Sequence, residues 1–123
     1  MSENVMNLKY TKLKNSMSGS GRFKDHHAEG TVPRGAGCIF FELKGQMIYA
    51  GKAYDGIQKR LDQFWLKKTP GSRSARNIFK NRYQLTVYWK LLSINPREQR
   101  EECRKLRNKW IKQFQPPWNV YGK

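Results

Sequence analysis

The sequence is short of acid. Nine Asp and Glu stand against 25 Lys and Arg, a formal net charge of +16, and between Asp62 and Glu98 there is no carboxylate at all. That imbalance says little about fold and much about partners. Lys and Arg that neutralise phosphates release condensed counterions, so nucleic acid is the first candidate and an anionic membrane surface the second. Long apolar runs are also missing. None approaches the roughly 20 residues of a membrane span, and the N-terminus has no apolar core of a signal peptide. Cysteine is scarce: Cys38 and Cys103 alone make no disulfide framework and read as two buried free thiols of a cytosolic protein. His26-His27 has no nearby Cys to complete a zinc-like set and reads as a solvated pair. A chain of 123 residues is expected to form one domain with one modest core.

The positive charge that is present is uneven. Residues 1–36 hold six basic and three acidic side chains, a net of +3, whereas residues 37–123 hold nineteen and six, a net of +13. Lys67, Lys68, Arg73, Arg76, Lys80, Arg82, Lys90 and Arg97 fill the acid-free stretch and are interleaved with Trp65, Phe79 and Tyr83. A run of cations is ordinarily a solvated face; aromatic interleaving favours a phosphate-binding surface.

Residues 1–36 are rich in Ser and Gly without an apolar period, which predicts a flexible basic tail. From Gly37 onward the pattern changes. "GCIFFEL" and "QMIYAG" are strand-like and are separated by Lys44-Gly45, a hairpin turn. Ile57, Leu61 and Phe64 recur at helical spacing. "TPGSRS" breaks that helix, and a second follows over "SARNIFKNRY" with Ser74 as its cap. "QLTVYWKLLS" is β-branched and aromatic and reads as a third strand. Pro96 opens a long charged helix with the stripe Cys103, Leu106, Trp110 and Phe114, closed by Pro116-Pro117. The expected domain, 37–123, is α+β, with a three-stranded, mainly antiparallel sheet flanked by helices in the order β-β-α-α-β-α.

This order, "IYAGKA", "QKRL" and "WIKQFQPPWNV" together resemble the GIY-YIG nuclease superfamily. "PPWN" is especially similar to the ending of its phage endonuclease II branch. The resemblance spans roughly residues 37–121 and rests on three motifs in order, none specific alone. It implies that Tyr49 and Arg60 occupy retained catalytic positions and that Asn119 matches a site asparagine. Read from the residues, Tyr49 can turn its hydroxyl to a cleft, Gly51 lets a phosphate approach, Arg60 can clamp it and Asn119 can fix the local turn. Each also has a plainer reading, as a packed strand residue, one more surface cation, or the cap of a chain reversal.

Two parts of the family's machinery are replaced. The first-motif tyrosine falls on Cys38 or Ile39. The glutamate that holds the family's divalent metal falls on Arg107, which repels a cation and attracts phosphate. Glu102, about 140° around the helix from position 107, and Glu98, about 180° away, do not share its face. The sequence therefore implies a nucleic-acid-binding protein, DNA before RNA, with lost or impaired phosphodiester cleavage and no cofactor. Its contacts are expected from Lys52, Lys59, Lys67, Lys68, Arg73, Arg76, Lys80, Arg107 and Asn119. Two alternatives stay open: a Mg²⁺-dependent endonuclease that uses Glu102 or Glu98 as metal ligand, and a basic structural RNA-binding protein. A location in the cytoplasm, the host's if the chain is viral, goes with each.

Overall fold

The computed structural model describes residues 2–26, 32–66, 73–92 and 95–119. Helix α1 (Ser2–Ser16) leads into strand β1 (Gly19–Arg22) and a short 3₁₀ turn, Phe23–Asp25. Strands β2 (Gly37–Leu43) and β3 (Gln46–Ala53) form a hairpin, followed by helices α2 (Ile57–Trp65) and α3 (Arg73–Lys80), strand β4 (Thr86–Leu91) and the long helix α4 (Pro96–Phe114). The sheet order is β1-β4-β2-β3, with every neighbour antiparallel. The α+β class, the hairpin and the helices expected from residue 37 onward are all present; the sheet has four strands rather than three. Among the described residues no helix is long and apolar enough to cross a membrane.

Strand β2 is apolar on both faces because it lies inside the sheet with cover on each side. Ile39 and Phe41 point into a core shared with Ile57, Leu61 and Phe64 of α2 and Ala75 and Ile78 of α3. Cys38 and Phe40 point into a second core with Tyr10 of α1 and Cys103 and Trp110 of α4. The β2–β3 turn uses Lys44 (φ 52°) and Gly45 (φ 80°). Two successive left-handed residues make the turn type that matches the sheet's twist. A bulge then shifts the register, so that Phe41 faces Tyr49 while Glu42 faces Met47. The extra residue, Ile48, enters the same core as Tyr49, against the alternation of a regular strand. Asn95 caps α4 by accepting from the backbone N–H groups of Arg97 and Glu98. Gln115, left-handed at φ 47°, ends the helix, and Pro116-Pro117 keep it from resuming.

The expected flexible tail is where the structure differs most. Residues 2–16 are helical, and β1 pairs with β4 from Gly19↔Trp89 to Arg22↔Thr86. Gly19 suits that strand because the Trp89 indole lies where its Cβ would be, at 2.7 Å. Low apolar content is therefore no bar to order here: β1 contributes backbone hydrogen bonds, and Trp89 supplies the packing. Phe23 is fully buried against Phe41 and Trp65. His26 is buried as well, not solvated. Its Nδ1 lies 2.9 Å from the Phe23 carbonyl and its Nε2 2.9 Å from Asp62 Oδ1 on α2. His27 lies outside the described residues. Val32 to Ala36 also dock: the carbonyls of Pro33, Gly35 and Ala36 accept from Gln58, Ile57 and Leu92.

Candidate nucleic-acid interface

Past the end of β3 the chain opens a cleft of about 230 Å³ between α2 and α4. Lys52, Ala53, Tyr54, Asp55, Arg60, Gln63 and Arg100 line it. Three cations and one carboxylate in a concave site suit a phosphate, which takes paired donors from a guanidinium and a point charge from an ammonium. Each cation reaches the cleft for a local reason. Lys52 follows the buried Gly51 on β3 and turns out to solvent. Arg60 lies on α2 with its guanidinium 4.4 Å from the Phe64 ring centroid, and its Nη1 donates to Gln63 Oε1 at 3.0 Å. Arg100 lies on the first half of α4. Tyr54 sits between two of them, with Lys52 Nζ 5.3 Å and the Arg100 guanidinium 5.8 Å from its ring centroid. The N-terminus of α2 adds nothing for an anion, because its first N–H groups already donate to Gly35 and Pro33.

Beneath the cleft the same face of α4 continues at Cys103 and Arg107, three and seven residues after Arg100. Arg107 is half-buried, and its Nε is buried with no hydrogen-bond partner among the described residues. Cys103 is buried beside Cys38, with the two sulfurs 2.9 Å apart. The Cys103 thiol is held below the usual range, first by the hydrogen bond from Cys38 and then by the positive charges of Arg107 and Lys52, against the opposing effect of burial. The same hydrogen bond and burial push the Cys38 thiol up. Burial, then the charge developing on Cys103, raises the Tyr54 phenol.

Several expected site residues sit elsewhere. Tyr49 does not end a strand with its hydroxyl in a cleft: it lies within β3, 4% exposed, with its ring against Phe41 and Phe64. The Tyr49 ring lies against Gly51, where a Cβ would meet it at 2.7 Å. Asn119 is buried, and its amide is taken up by the backbone of the β3 edge. Its Oδ1 accepts from Ala50 N–H and its Nδ2 donates to Ala50 carbonyl, both at 2.8 Å. Asn119 thereby acts as a one-residue strand, with Trp118 N–H donating to Ile48 carbonyl beside it. Lys59, Arg73, Arg76 and Lys80 are exposed on α2 and α3; Lys67 and Lys68 lie outside the described residues. Glu98, Glu101, Glu102 and Lys105 line a separate depression on the outward face of α4. Tyr54 and Arg100 were not singled out by the sequence reading. The available signal for Arg100 was its seven-residue spacing from Arg107, which puts both on one helix face.

No protein-family model matches the sequence, and no curated protein sequence matches it. Solved structures do match. The GIY-YIG N-terminal endonuclease domain of UvrC from Thermotoga maritima, bound to magnesium as its catalytic divalent cation, superposes with a TM-score of 0.56 at 22% identity, covering 78% of this chain and 92% of that one. Two point mutants of that domain, each bound to its catalytic divalent cation, give TM-scores of 0.53 and 0.54 at 24% and 22% identity. They cover 72% and 77% of this chain, and 86% and 90% of theirs.

The chain has the GIY-YIG fold. Within that fold the hairpin register separates the two residues at which the resemblance places the first-motif tyrosine. Ile39 pairs with Gly51 and points to the Tyr49 side of the sheet, whereas Cys38 pairs with Lys52 and points to α4. Neither side chain carries an oxygen. Among the described residues no group of three or more His, Cys, Asp or Glu could hold one. At the cleft Asp55 is the single carboxylate among Lys52, Arg60 and Arg100.

Proposed function

We propose that this GIY-YIG-fold protein binds nucleic acid, DNA in preference to RNA, through phosphates seated in the Lys52–Arg60–Arg100 cleft, and that it does not cleave what it binds. The observation that carries this reading is Arg107. The resemblance to GIY-YIG nucleases assigns that position to a metal-binding carboxylate. Here it holds a guanidinium whose buried Nε has no partner among the described residues, below a cleft already lined by three cations. Fixed positive charge would do there what a metal does in a nuclease site, neutralise a phosphate, but it cannot lower the pKa of a bound water to make a nucleophile. Glu102 and Glu98 face away from the cleft, so a rearranged metal site gains no support from the geometry. The "PPWN" ending is the feature that favours kinship with the phage endonuclease II branch.

In this reading Lys52 and Arg100 receive the phosphate from either side of Tyr54, and Arg60, steadied by Gln63 and Phe64, supplies a bidentate contact. Lys59, Arg73, Arg76 and Lys80, exposed on α2 and α3, extend the contact to the flanking backbone. Tyr49 and Asn119 hold the strand that carries Lys52. The test is fluorescence-anisotropy binding of a labelled 20-base-pair duplex, its single strand and the matching RNA duplex, in EDTA, over a range of salt. Tight binding of the DNA duplex without metal, weakening steeply as salt rises, is the expected result. Binding that needs Mg²⁺, or that hardly responds to salt, overturns the reading. Preference for the RNA favours the structural RNA-binding alternative.

A further inference from the structure

The two thiols have no part in holding phosphate, yet they are placed as a reactive pair. Cys38 lies in the middle of the sheet and Cys103 on the helix that covers it, 65 residues apart in sequence and 2.9 Å apart at sulfur. Both are free and fully buried. The surroundings treat the two sulfurs differently. Cys38 Sγ also lies 3.6 Å from the Cys103 carbonyl, an acceptor that keeps a proton on Cys38. The hydrogen bond from Cys38, then the positive charges of Arg107 and Lys52 and the Tyr54 hydroxyl, favour a thiolate on Cys103. Tyr54 is itself a half-buried wall of the cleft.

We propose that Cys38 and Cys103 are an oxidant-reactive dithiol that closes to an intramolecular disulfide between β2 and α4. The oxidant class is a hydroperoxide, small enough to pass Tyr54. The Cys103 thiolate attacks the peroxide oxygen; an S–O bond forms, the O–O bond breaks, and the leaving hydroxide takes up a proton to become water. Cys38 then loses its proton and attacks the Cys103 sulfur; an S–S bond forms, and the S–O bond breaks with release of a second water. Two thiols and one hydrogen peroxide give one disulfide and two waters. Contact between the sulfurs makes the second step faster than further oxidation, because the resolving thiol is already in place. The closed bond ties α4, with Arg100 and Arg107, to the sheet below the cleft. The inference stands whether or not the cleft holds nucleic acid.

The experiment treats the full chain with hydrogen peroxide at neutral pH, denatures it, alkylates the remaining thiols and maps tryptic peptides. The expected product is a monomer in which peptide 35–44, carrying Cys38, is joined to peptide 101–104, carrying Cys103, with both thiols restored by dithiothreitol. Melting of the oxidised monomer shifts upward. Unlinked peptides, alkylated or carrying sulfinic acid, or a disulfide-linked dimer, overturn the proposal. Dimedone trapping checks which thiol attacks: Cys38→Ser should take the adduct at Cys103 several-fold faster than Cys103→Ser takes it at Cys38. Equal or reversed rates contradict the assignment of Cys103.

Discussion

Individual residues of this chain divide into those that hold the cleft's shape and those whose charged groups line it, and the two groups answer different measurements. Replacing Lys52, Arg60 or Arg100 by Ala should weaken DNA binding across sequences and lower the slope of log affinity against log salt by about 1 each, as expected for loss of one phosphate contact. Arg107→Met belongs with them in binding but not in stability. A guanidinium with an unpaired buried Nε gives up little when an apolar side chain of similar length fills its place. Its melting temperature should stay within a few degrees of wild type, or rise, while affinity falls. The shape-holding residues behave in the opposite way. Gly51→Ala drives a methyl into the Tyr49 ring, an overpacking that should cost about 1–3 kcal/mol in denaturant unfolding. Asn119→Ala strips both partners from the Ala50 backbone and should cost about 2 kcal/mol. Both variants should keep the salt slope of the wild type. In the sequence these two groups look alike, because "YAGK" and "WN" show residue types and not which neighbour uses them. Gly51 can serve a phosphate or a ring with the same letter.

At the level of elements, the strands and helices from residue 37 onward are legible because their signals are strong and local. β2 is a continuous apolar run, Lys44-Gly45 suits a two-residue turn, and Asn95-Pro96 marks a helix start. The N-terminal elements are not legible for the converse reason. Strand β1, "GSGR", has no apolar alternation to detect, since its stability comes from backbone pairing with β4 and from Trp89 lying over Gly19. Helix α1 buries little besides Tyr10, whose hydroxyl donates to Glu42 on β2 at 2.7 Å. The same Glu42 pairs with Lys14 at 3.2 Å, so α1 is tied down by polar contacts that no hydrophobic period reports. A truncation tests this. Removing residues 1–26 should expose the β4 edge and the Phe23 pocket and lower the melting temperature sharply, or leave the chain insoluble. An unchanged melting curve would show that the segment is a tail after all. Phe23→Ala, a gentler form of the same test, should cost about 3–5 kcal/mol.

As a whole molecule the protein is a GIY-YIG fold that carries a formal net charge of +16. The fold presents the end of β3, the start of α2 and the first half of α4 around one cleft. At that cleft this chain has Lys52, Arg60 and Arg100 around the single carboxylate Asp55, with Arg107 further along the same face of α4. Arg107 was legible in the sequence as the residue to weigh against the resembled site, because the spacing back from "WIKQFQPPWN" marks position 107. The neighbours of Arg107 were not, because Cys38, Lys52, Tyr54 and Arg100 come together only through the hairpin register and the packing of α4. The claim that fixed cations have replaced metal chemistry is tested most directly by incubating the purified protein with supercoiled plasmid in Mg²⁺ or Mn²⁺ at low salt and resolving the deproteinised DNA by electrophoresis. Plasmid that remains fully supercoiled at protein concentrations that retard it on a native gel is the predicted result. Nicked or linear DNA that appears with the metal and disappears with EDTA would contradict it.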